Sequence, residues 1–248
     1  MGRSGRRVQS FRQFDVHDDA CAMKVGTDAL VLGSWAGASM AENCTLRVLD
    51  VGTGSGILAL MVAQRFPKAQ VDAIDLEPDA AVQAAENAAR SPFADRIHVA
   101  HCALQGWEVT GAYDLVVCNP PFFHNHPKSE DRKRNLARHD DALPLDVLFG
   151  RAARLLTSTG RLEVVHPWDR SEEFRGKAQA SGFHVRSEIA LRATPAHACT
   201  RVLWSLSLAG SAQHVRETWE LEAEEGGGTW SPRLRKALAP FVPGVELA

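Results

Sequence analysis

The sequence predicts an α/β fold in which a mostly parallel sheet of seven strands is doubly wound, with helices on both faces and an antiparallel hairpin at one edge. Three observations predict it. Short runs of β-branched and other apolar residues recur along the chain, helical patterns separate most of them, and the last two runs lie too close together for a crossover helix. With 248 residues, 45% of them hydrophobic, the chain is long enough to form one large domain.

The first five predicted strands alternate with helical patterns, which indicates βαβ units and a parallel sheet. They are RVLDVG at 47–52, VDAIDL at 71–76, RIHVAHC at 96–102, YDLVVCN at 113–119 and RLEVVHP at 161–167. The segments ILALMVAQRF, DAAVQAAENAAR and LDVLFGRAARLL repeat apolar residues at three- and four-residue spacing, as helices do. Open sheets of this kind bind ligands at the carboxyl ends of their strands, so the turns that follow these strands are the candidate sites.

Two further strands, HVRSEIALR at 184–192 and RVLWSLSLA at 201–209, are joined by a short segment that contains Pro195. Without a crossover helix they are expected to pair antiparallel at one edge of the sheet. The chain is thereby divided into a basic arm and substrate-side segment over residues 1–36, a main domain over 37–209, and a tail over 210–248 to which the sequence assigns no role.

Composition favours an ordinary globular protein of the cytoplasm, with a monomer as the default. The sequence contains no run of roughly 18 uncharged apolar residues and no apolar signal near its first residues. The five cysteines are scattered without a C-x-x-C pair and are expected to be reduced. No metal site is expected, because His124, His126 and His139 lack carboxylates or cysteines in matching positions. A net charge of only −2 means that local basic patches would have to hold a nucleic acid.

A glycine-rich turn, DVGTGSG at 50–56, directly follows the first predicted strand and opens a helix. Its glycines allow the backbone to turn tightly and to approach a ligand closely. A nicotinamide-binding fingerprint would place its third glycine at position 57, which is isoleucine in this chain. The turn therefore indicates a ligand site of a different kind.

An acidic residue, Asp75, ends the next strand, where a carboxylate can accept both hydroxyls of an adenosine ribose. Leu76 beside it can pack on an adenine ring. Glu77 is a competing ribose ligand, and either carboxylate can also cap the helix that begins near Pro78.

The turn Asn119-Pro120-Pro121-Phe122 follows the fourth predicted strand. Two prolines fix φ and remove two N–H donors, so the turn is rigid and presents carbonyl oxygens. An amine on an aromatic ring is a poor nucleophile because its lone pair is delocalised into the ring. The side-chain oxygen of Asn119 and the carbonyl oxygen of Pro120 can accept its two hydrogens and localise that lone pair, while Phe122 stacks on the ring. Such alignment can lower a barrier by about 7–11 kcal/mol, and no dedicated general base is required.

These two turns resemble those of the N-P-P-[FY] amino methyltransferases, a group of class I, Rossmann-like enzymes that use S-adenosylmethionine. Their D-x-G-x-G-x-G loop wraps the amino-acid end of the cofactor. The segment before the glycine-rich turn narrows the resemblance, because Met-Lys-Val-Gly-Thr-Asp at 23–28 and Leu-Gly-Ser-Trp-Ala at 32–36 are similar to segments of the bacterial tRNA(Val) adenine-37-N6 methyltransferases. The resemblance covers roughly residues 11–209.

The resemblance implies methylation of the exocyclic N6 of an adenine in tRNA, with S-adenosylmethionine as cofactor. It implies catalytic roles for Asn119, Pro120, Pro121 and Phe122. The residues it assigns to the cofactor are Lys24, Thr27, Asp50, Gly52, Thr53, Gly54, Gly56, Asp75, Leu76, Ala103 and Asn119. At Ala103 the sequence departs from the family, which usually carries an aspartate there that contacts the cofactor's adenine. Backbone groups around Cys102–Leu104, or a neighbouring side chain, are the candidates to replace it.

Basic residues are concentrated in two segments that are candidates for RNA binding, since such groups can hold phosphates on either side of a presented base. They are Arg6, Arg7 and Arg12 in the N-terminal arm, and Lys128, Arg132, Lys133, Arg134 and Arg138 after the catalytic turn. Both segments can equally be solvated charged surface. Phe11 and Phe14, near these arginines, either stack on bases or belong to the core.

Three other functions stay open at this point. Guanine-N2 methylation of ribosomal RNA uses the same turn with the purine oriented differently, and methylation of a release-factor glutamine would make the substrate a protein. A non-catalytic RNA-binding module would keep the fold without the cofactor, with Ala103 as its support. An adenine in a single-stranded anticodon loop is the favoured substrate, because such a base leaves its stack at the lowest cost.

Overall fold

The computed structural model describes residues 8–120, 143–210, 214–224 and 228–245. Its centre is an eight-stranded sheet. The strands of that sheet are β3 (Arg47–Val51), β4 (Gln70–Asp75), β5 (Ile97–His101), β6 (Tyr113–Cys118), β7 (Leu156–Pro167), β8 (His184–Arg192), β9 (Arg201–Ser207) and β10 (Val215–Glu220). They lie in the order β10-β8-β9-β7-β6-β3-β4-β5, and β9 runs antiparallel to its two neighbours while the other pairs are parallel. The predicted α/β fold with a mostly parallel sheet is confirmed.

Helices cover both faces of this sheet. They are α1 (Thr27–Trp35), α2 (Ile57–Arg65), α3 (Pro78–Arg90), α4 (Leu145–Leu155), α5 (Ser171–Ala180) and α6 (Pro232–Leu238). Along β6, Leu115 and Val117 belong to one hydrophobic cluster, while Val116 and Cys118 belong to another. Since successive side chains of a strand point to opposite faces, the two clusters lie on opposite faces of the sheet. Residues of α1, α2 and α6 join the first cluster, and residues of α4 and α5 join the second.

The predicted antiparallel hairpin is present as β8 and β9, but it does not form the edge of the sheet. Strand β10, from the tail, pairs parallel with β8 and adds an eighth strand. The sequence VRETWE has apolar residues at Val215 and Trp219 with three polar residues between them, so it lacks the strict alternation of apolar and polar residues that identifies a strand. Trp219 is its one buried residue. The tail also supplies α6, whose Leu234 and Leu238 pack in the first cluster together with Phe11. The boundaries at residues 36 and 209 stay a prediction.

The N-terminal segment forms a separate two-stranded antiparallel hairpin, β1 (Val8–Ser10) and β2 (Asp15–His17). At its turn the rings of Phe11 and Phe14 are buried and stack on each other with their centroids 4.7 Å apart, and Phe14 also contacts Phe93 edge-on. The structure therefore decides between the two interpretations of these phenylalanines, and they are core residues. Among the described residues, no helix is long and apolar enough to cross a bilayer.

Candidate active site

A cavity of about 370 Å³ lies at the carboxyl ends of β3, β4, β5 and β6. Four turns at the ends of these strands and a segment that precedes α1 supply its walls. The predicted site residues that line it are Gly52, Gly54, Asp75, Leu76, Ala103, Asn119 and Pro120. Turns that are far apart in the sequence thus meet at one edge of the sheet, as the positions of the strands predicted.

The glycine-rich turn needs its glycines for two different reasons. Gly52 (φ 69°) and Gly54 (φ 56°) are left-handed, and a Cβ at either position would meet no other atom within 4 Å. Both residues line the cavity, so their missing side chains leave room for a ligand against bare backbone. Gly56 (φ 82°) does not line the cavity, and a Cβ there would lie 3.4 Å from Ala84 of α3. Gly56 therefore permits close packing of the turn on α3.

Asp50 and Thr53 hold the turn in place and do not line the cavity. The Oδ2 of Asp50 accepts hydrogen bonds from the hydroxyl of Thr53 at 2.6 Å and from the backbone N–H of Ala59 at 3.1 Å. Both side chains are buried. Burial raises the pKa of Asp50 to about 7, although these two hydrogen bonds act in the opposite direction.

Asp50 should make the stability of the protein depend on pH. Between its ordinary pKa of 3.8 and its raised pKa of about 7, the folded state binds more protons than the unfolded state, so the free energy of unfolding falls as the pH rises. Asp50→Asn keeps an acceptor oxygen for Thr53 and removes this titration. As the pH rises from about 4 to about 7, we therefore expect the free energy of unfolding of the wild type to fall relative to that of the variant. Above pH 7 the difference between the two should be constant. Urea unfolding at a series of pH values measures the difference, and a pH-independent difference would contradict the assignment.

Asp75 joins the end of β4 to the glycine-rich turn. Its Oδ2 accepts from the N–H of Gly54 at 2.7 Å, and its Oδ1 accepts from the N–H of Glu77 at 2.9 Å. Each carboxylate oxygen has a further lone pair, so the same group can also accept the hydroxyls of a ribose. Glu77 lines the cavity and precedes α3, but its side chain makes no capping hydrogen bond. Leu76, next to Asp75, is 47% exposed and is free to contact a flat ring.

The catalytic turn begins where β6 ends. Asn119 is half-buried, Pro120 is buried, and both line the cavity. Pro121 and Phe122 lie outside the described residues. The cavity thus brings the amide of Asn119 together with the glycine-rich turn and Asp75, which is the arrangement needed to align a bound amine with a cofactor.

The wall after β5 contains Ala103, Leu104 and Gln105. The N–H of Cys102 donates to the carbonyl of Asp75 at 2.9 Å, which fixes this wall next to the end of β4. Gln105 was not identified from the sequence, where an exposed glutamine without a motif gives no signal. Gln105 lines the cavity two residues after Ala103, and its amide has the donor and the acceptor that the side chain of Ala103 lacks, so Gln105 is our candidate for the neighbouring side chain that replaces the aspartate usual in the family.

Lys24 and Thr27 do not line the cavity. The Nζ of Lys24 donates to three carbonyl oxygens, those of Asp18 at 2.6 Å, Asp19 at 3.1 Å and Cys21 at 3.0 Å. Thr27 is the first residue of α1. Lys24 therefore shapes the adjoining segment, whose residues 20–23 do line the cavity. None of these four residues was predicted as a site residue, although Met23 begins the string that is similar to the tRNA(Val) enzymes and the other three directly precede it.

Of the residues predicted to bind RNA, the structure describes Arg12. Its Nε donates to the carbonyl of Ala239 at 2.7 Å and its Nη2 to that of Val245 at 3.2 Å, so it connects the N-terminal hairpin to the segment that follows α6. Its role toward RNA stays a prediction. The others lie outside the described residues, and they are Arg6, Arg7, Lys128, Arg132, Lys133, Arg134 and Arg138. No group of three His, Cys, Asp or Glu side chains in the described part of the chain could hold a metal ion.

The residues of the cavity fit S-adenosylmethionine. The bare backbone at Gly52 and Gly54 leaves room for the amino-acid end of the cofactor. The carboxylate of Asp75 suits a ribose, and Leu76 suits the face of an adenine ring. The cavity thus combines bare backbone, a carboxylate and an apolar side chain, which are the kinds of surface that the parts of this cofactor require.

Comparisons with known proteins identify related methyltransferases. The family model of the methyltransferase small domain matches residues 36–173. The chain is 46% identical over 173 residues to the tRNA1(Val) (adenine(37)-N6)-methyltransferase of Porphyromonas gingivalis W83, covering 68% of each chain. It is 38% identical over 232 residues to the protein of the same name from Dyadobacter fermentans, covering 93% of this chain and 95% of that one.

Among solved structures, the fold is similar to that of a predicted O-methyltransferase from Agrobacterium tumefaciens, with a TM-score of 0.67 at 18% identity. The match covers 86% of this chain and 96% of that one. At this identity the likeness shows the fold, which is that of the class I methyltransferases that use S-adenosylmethionine. Together, the domain match and the relatives show that the chain belongs to the methyltransferase small domain family and, within it, to the family of the tRNA1(Val) (adenine(37)-N6)-methyltransferases.

Proposed function

We propose that this protein transfers the methyl group of S-adenosylmethionine to the exocyclic N6 of an adenine in tRNA, and that its target is adenine 37 of tRNA(Val). The observation that supports the reaction is the meeting of Asn119 and Pro120 with the glycine-rich turn and Asp75 in one cavity. The tRNA substrate is supported by the name that its relatives carry, since the alignment with one of them covers 93% of this chain. A tRNA substrate also favours the cytoplasm.

The protein acts by aligning the amine. The side-chain oxygen of Asn119 and the carbonyl oxygen of Pro120 accept the two N–H groups of adenine N6, which turns the nitrogen lone pair out of conjugation with the ring. S-adenosylmethionine, when bound, supplies an electrophilic methyl group and leaves as S-adenosylhomocysteine. The methylated nitrogen then loses one proton to water and regains its conjugation with the ring. Holding both reactants in place supplies the rate enhancement without a dedicated base.

The cavity is also compatible with guanine-N2 methylation, because the oxygens of Asn119 and Pro120 can accept the two hydrogens of either exocyclic amine. The relatives named for adenine 37 favour adenine over guanine. A non-catalytic module is disfavoured by the open backbone at Gly52 and Gly54 and by Asp75, which such a module would not need.

Methyl transfer from radiolabelled S-adenosylmethionine tests the proposal. The purified protein is incubated in parallel with tRNA from cells that lack the modification, with ribosomal RNA and with a release factor, and the labelled RNA is digested to nucleosides. We expect label in N6-methyladenosine from tRNA. Label in N2-methylguanosine would instead assign the methyl group to a guanine, and label in the release factor would assign it to a protein. No label, together with no calorimetric binding of S-adenosylmethionine, would favour the non-catalytic module.

A further inference from the structure

One wall of the cofactor cavity is built by a segment that precedes the region matched by the family model. Residues 18–24, which we name the wall segment, lie before position 36, where the match begins. Its members Ala20, Cys21, Ala22 and Met23 line the same cavity as the glycine-rich turn. The shape of the cavity therefore depends on what holds this segment in place.

The wall segment has an internal framework of hydrogen bonds. The Nζ of Lys24 donates to the carbonyls of residues 18, 19 and 21, and the Oδ2 of Asp18 accepts from the N–H of Val25 at 2.9 Å. These bonds give the segment its shape. None of these bonds connects the segment to the glycine-rich turn, which comes after α1 in the sequence.

Two buried amides on α3 make that attachment. Gln83 and Asn87 are four residues apart and thus lie on the same face of the helix, with exposed fractions of 5% and 0%. The Oε1 of Gln83 accepts from the N–H of Ala20 at 3.2 Å. The Oδ1 of Asn87 accepts from the N–H of His17 at 3.1 Å, and its Nδ2 donates to the carbonyl of His17 at 2.7 Å.

Asn87 also contacts the glycine-rich turn. Its Nδ2 donates to the carbonyl of Ser55, within the glycine-rich turn, at 2.8 Å. Its oxygen accepts a second bond from Arg90 at 2.8 Å, so both donors and both acceptor positions of the amide are used. One side chain thereby connects His17, the residue immediately before the wall segment, to the glycine-rich turn. Asn87 does not itself line the cavity.

We propose that Asn87 is a positioning residue for cofactor binding, and that together with Gln83 it fixes the distance between the wall segment and the glycine-rich turn. The identity of the ligand rests on the proposed function, whereas the positioning role rests on these hydrogen bonds. Loss of the amide leaves three buried or half-buried backbone groups without a partner, and they regain one when the wall segment opens to water. Opening widens the cavity and loosens the cofactor.

Calorimetric titration with S-adenosylhomocysteine measures this effect. We expect Asn87→Ala to raise the Kd by about tenfold and Gln83→Leu to raise it several-fold, as expected for the loss of buried hydrogen bonds. Gln83→Glu keeps an acceptor for Ala20 and should bind almost as the wild type does. Ser91→Ala is the control, because Ser91 caps the C-terminal end of α3 through hydrogen bonds with Ala88 and Phe93, which belong neither to the wall segment nor to the glycine-rich turn.

Alkylation by iodoacetamide, followed by mass spectrometry, measures directly how exposed the wall segment is. Cys21 lies within it and is buried, and burial raises the pKa of its thiol to about 11, so it should react slowly in the wild type. Asn87→Ala should speed the labelling of Cys21, while Cys118 in the core stays protected. If Asn87→Ala does not fold, the pair Gln83→Leu and Gln83→Glu makes the same comparison.

The proposal is overturned if Asn87→Ala and Gln83→Leu bind S-adenosylhomocysteine as Ser91→Ala does, or if Cys21 and Cys118 become labelled at equal rates, which would indicate general destabilisation. Failure of the wild type to bind S-adenosylhomocysteine would instead contradict the proposed function. The labelling of Cys21 in the free protein would then still decide the positioning role.

Discussion

Asn119→Ala is expected to lower the rate of methyl transfer by about 1,000-fold, the loss that follows removal of one preorganised group aimed at the reacting atoms. The Kd for S-adenosylmethionine should change by less than about threefold, because Asn119 is assigned chiefly to the amine of the substrate. Without its side-chain oxygen, one N–H of the adenine amino group loses its acceptor, and the lone pair remains conjugated with the ring. Single-turnover methylation of tRNA with saturating cofactor measures the rate of this step.

Asn119→Asp provides the matched control, since a carboxylate keeps an acceptor oxygen at the same position. It should retain a measurable part of the activity that the alanine variant loses. Normal turnover by Asn119→Ala would remove Asn119 from the mechanism. A parallel loss of cofactor affinity in both variants would assign it to the cofactor instead.

Asp75→Ala is expected to raise the Kd for S-adenosylmethionine by about 100-fold, as for the loss of charge-assisted hydrogen bonds. Two effects add. The carboxylate no longer accepts the hydroxyls of the ribose, and the N–H groups of Gly54 and Glu77 lose the acceptor that fixes the glycine-rich turn. Asp75→Asn keeps one acceptor oxygen and should fall between the wild type and the alanine variant.

Glu77→Ala tests the alternative for the same contact, because Glu77 also lines the cavity. Calorimetry on the two alanine variants compares the two carboxylates directly. A larger loss of affinity for S-adenosylmethionine in Glu77→Ala than in Asp75→Ala would assign the ribose contact to Glu77. An unchanged Kd in both would place the adenosine elsewhere in the cavity.

The central strands and the turns after them could be predicted because each depends on a local pattern. A buried apolar run followed by glycines or by Asn119-Pro120 specifies both a strand and its carboxyl end, and parallel pairing then brings those ends together. Strand β10 could not be predicted in this way. Its pairing with β8 depends on backbone hydrogen bonds, while Trp219 is its one buried side chain.

The roles of single polar side chains were predicted less well than the positions of the turns. Lys24 is in a string that indicated the family, yet it binds three carbonyls of its own segment, and no sequence pattern specifies where carbonyl oxygens converge. Arg12 contacts carbonyls of the segment that follows α6, more than 200 residues away. Asn87 bonds to His17 and Ser55, which lie 70 and 32 residues from it. Such contacts are set by tertiary packing.

Methylation of two transcripts of tRNA(Val), one with adenine at position 37 and one with guanine there, tests the central claim most directly. Each transcript is incubated with the protein and radiolabelled S-adenosylmethionine, and the product is digested and analysed as nucleosides. The proposed reaction predicts N6-methyladenosine from the first transcript and no label in the second. Equal label in both transcripts, or label recovered as N2-methylguanosine, would contradict it.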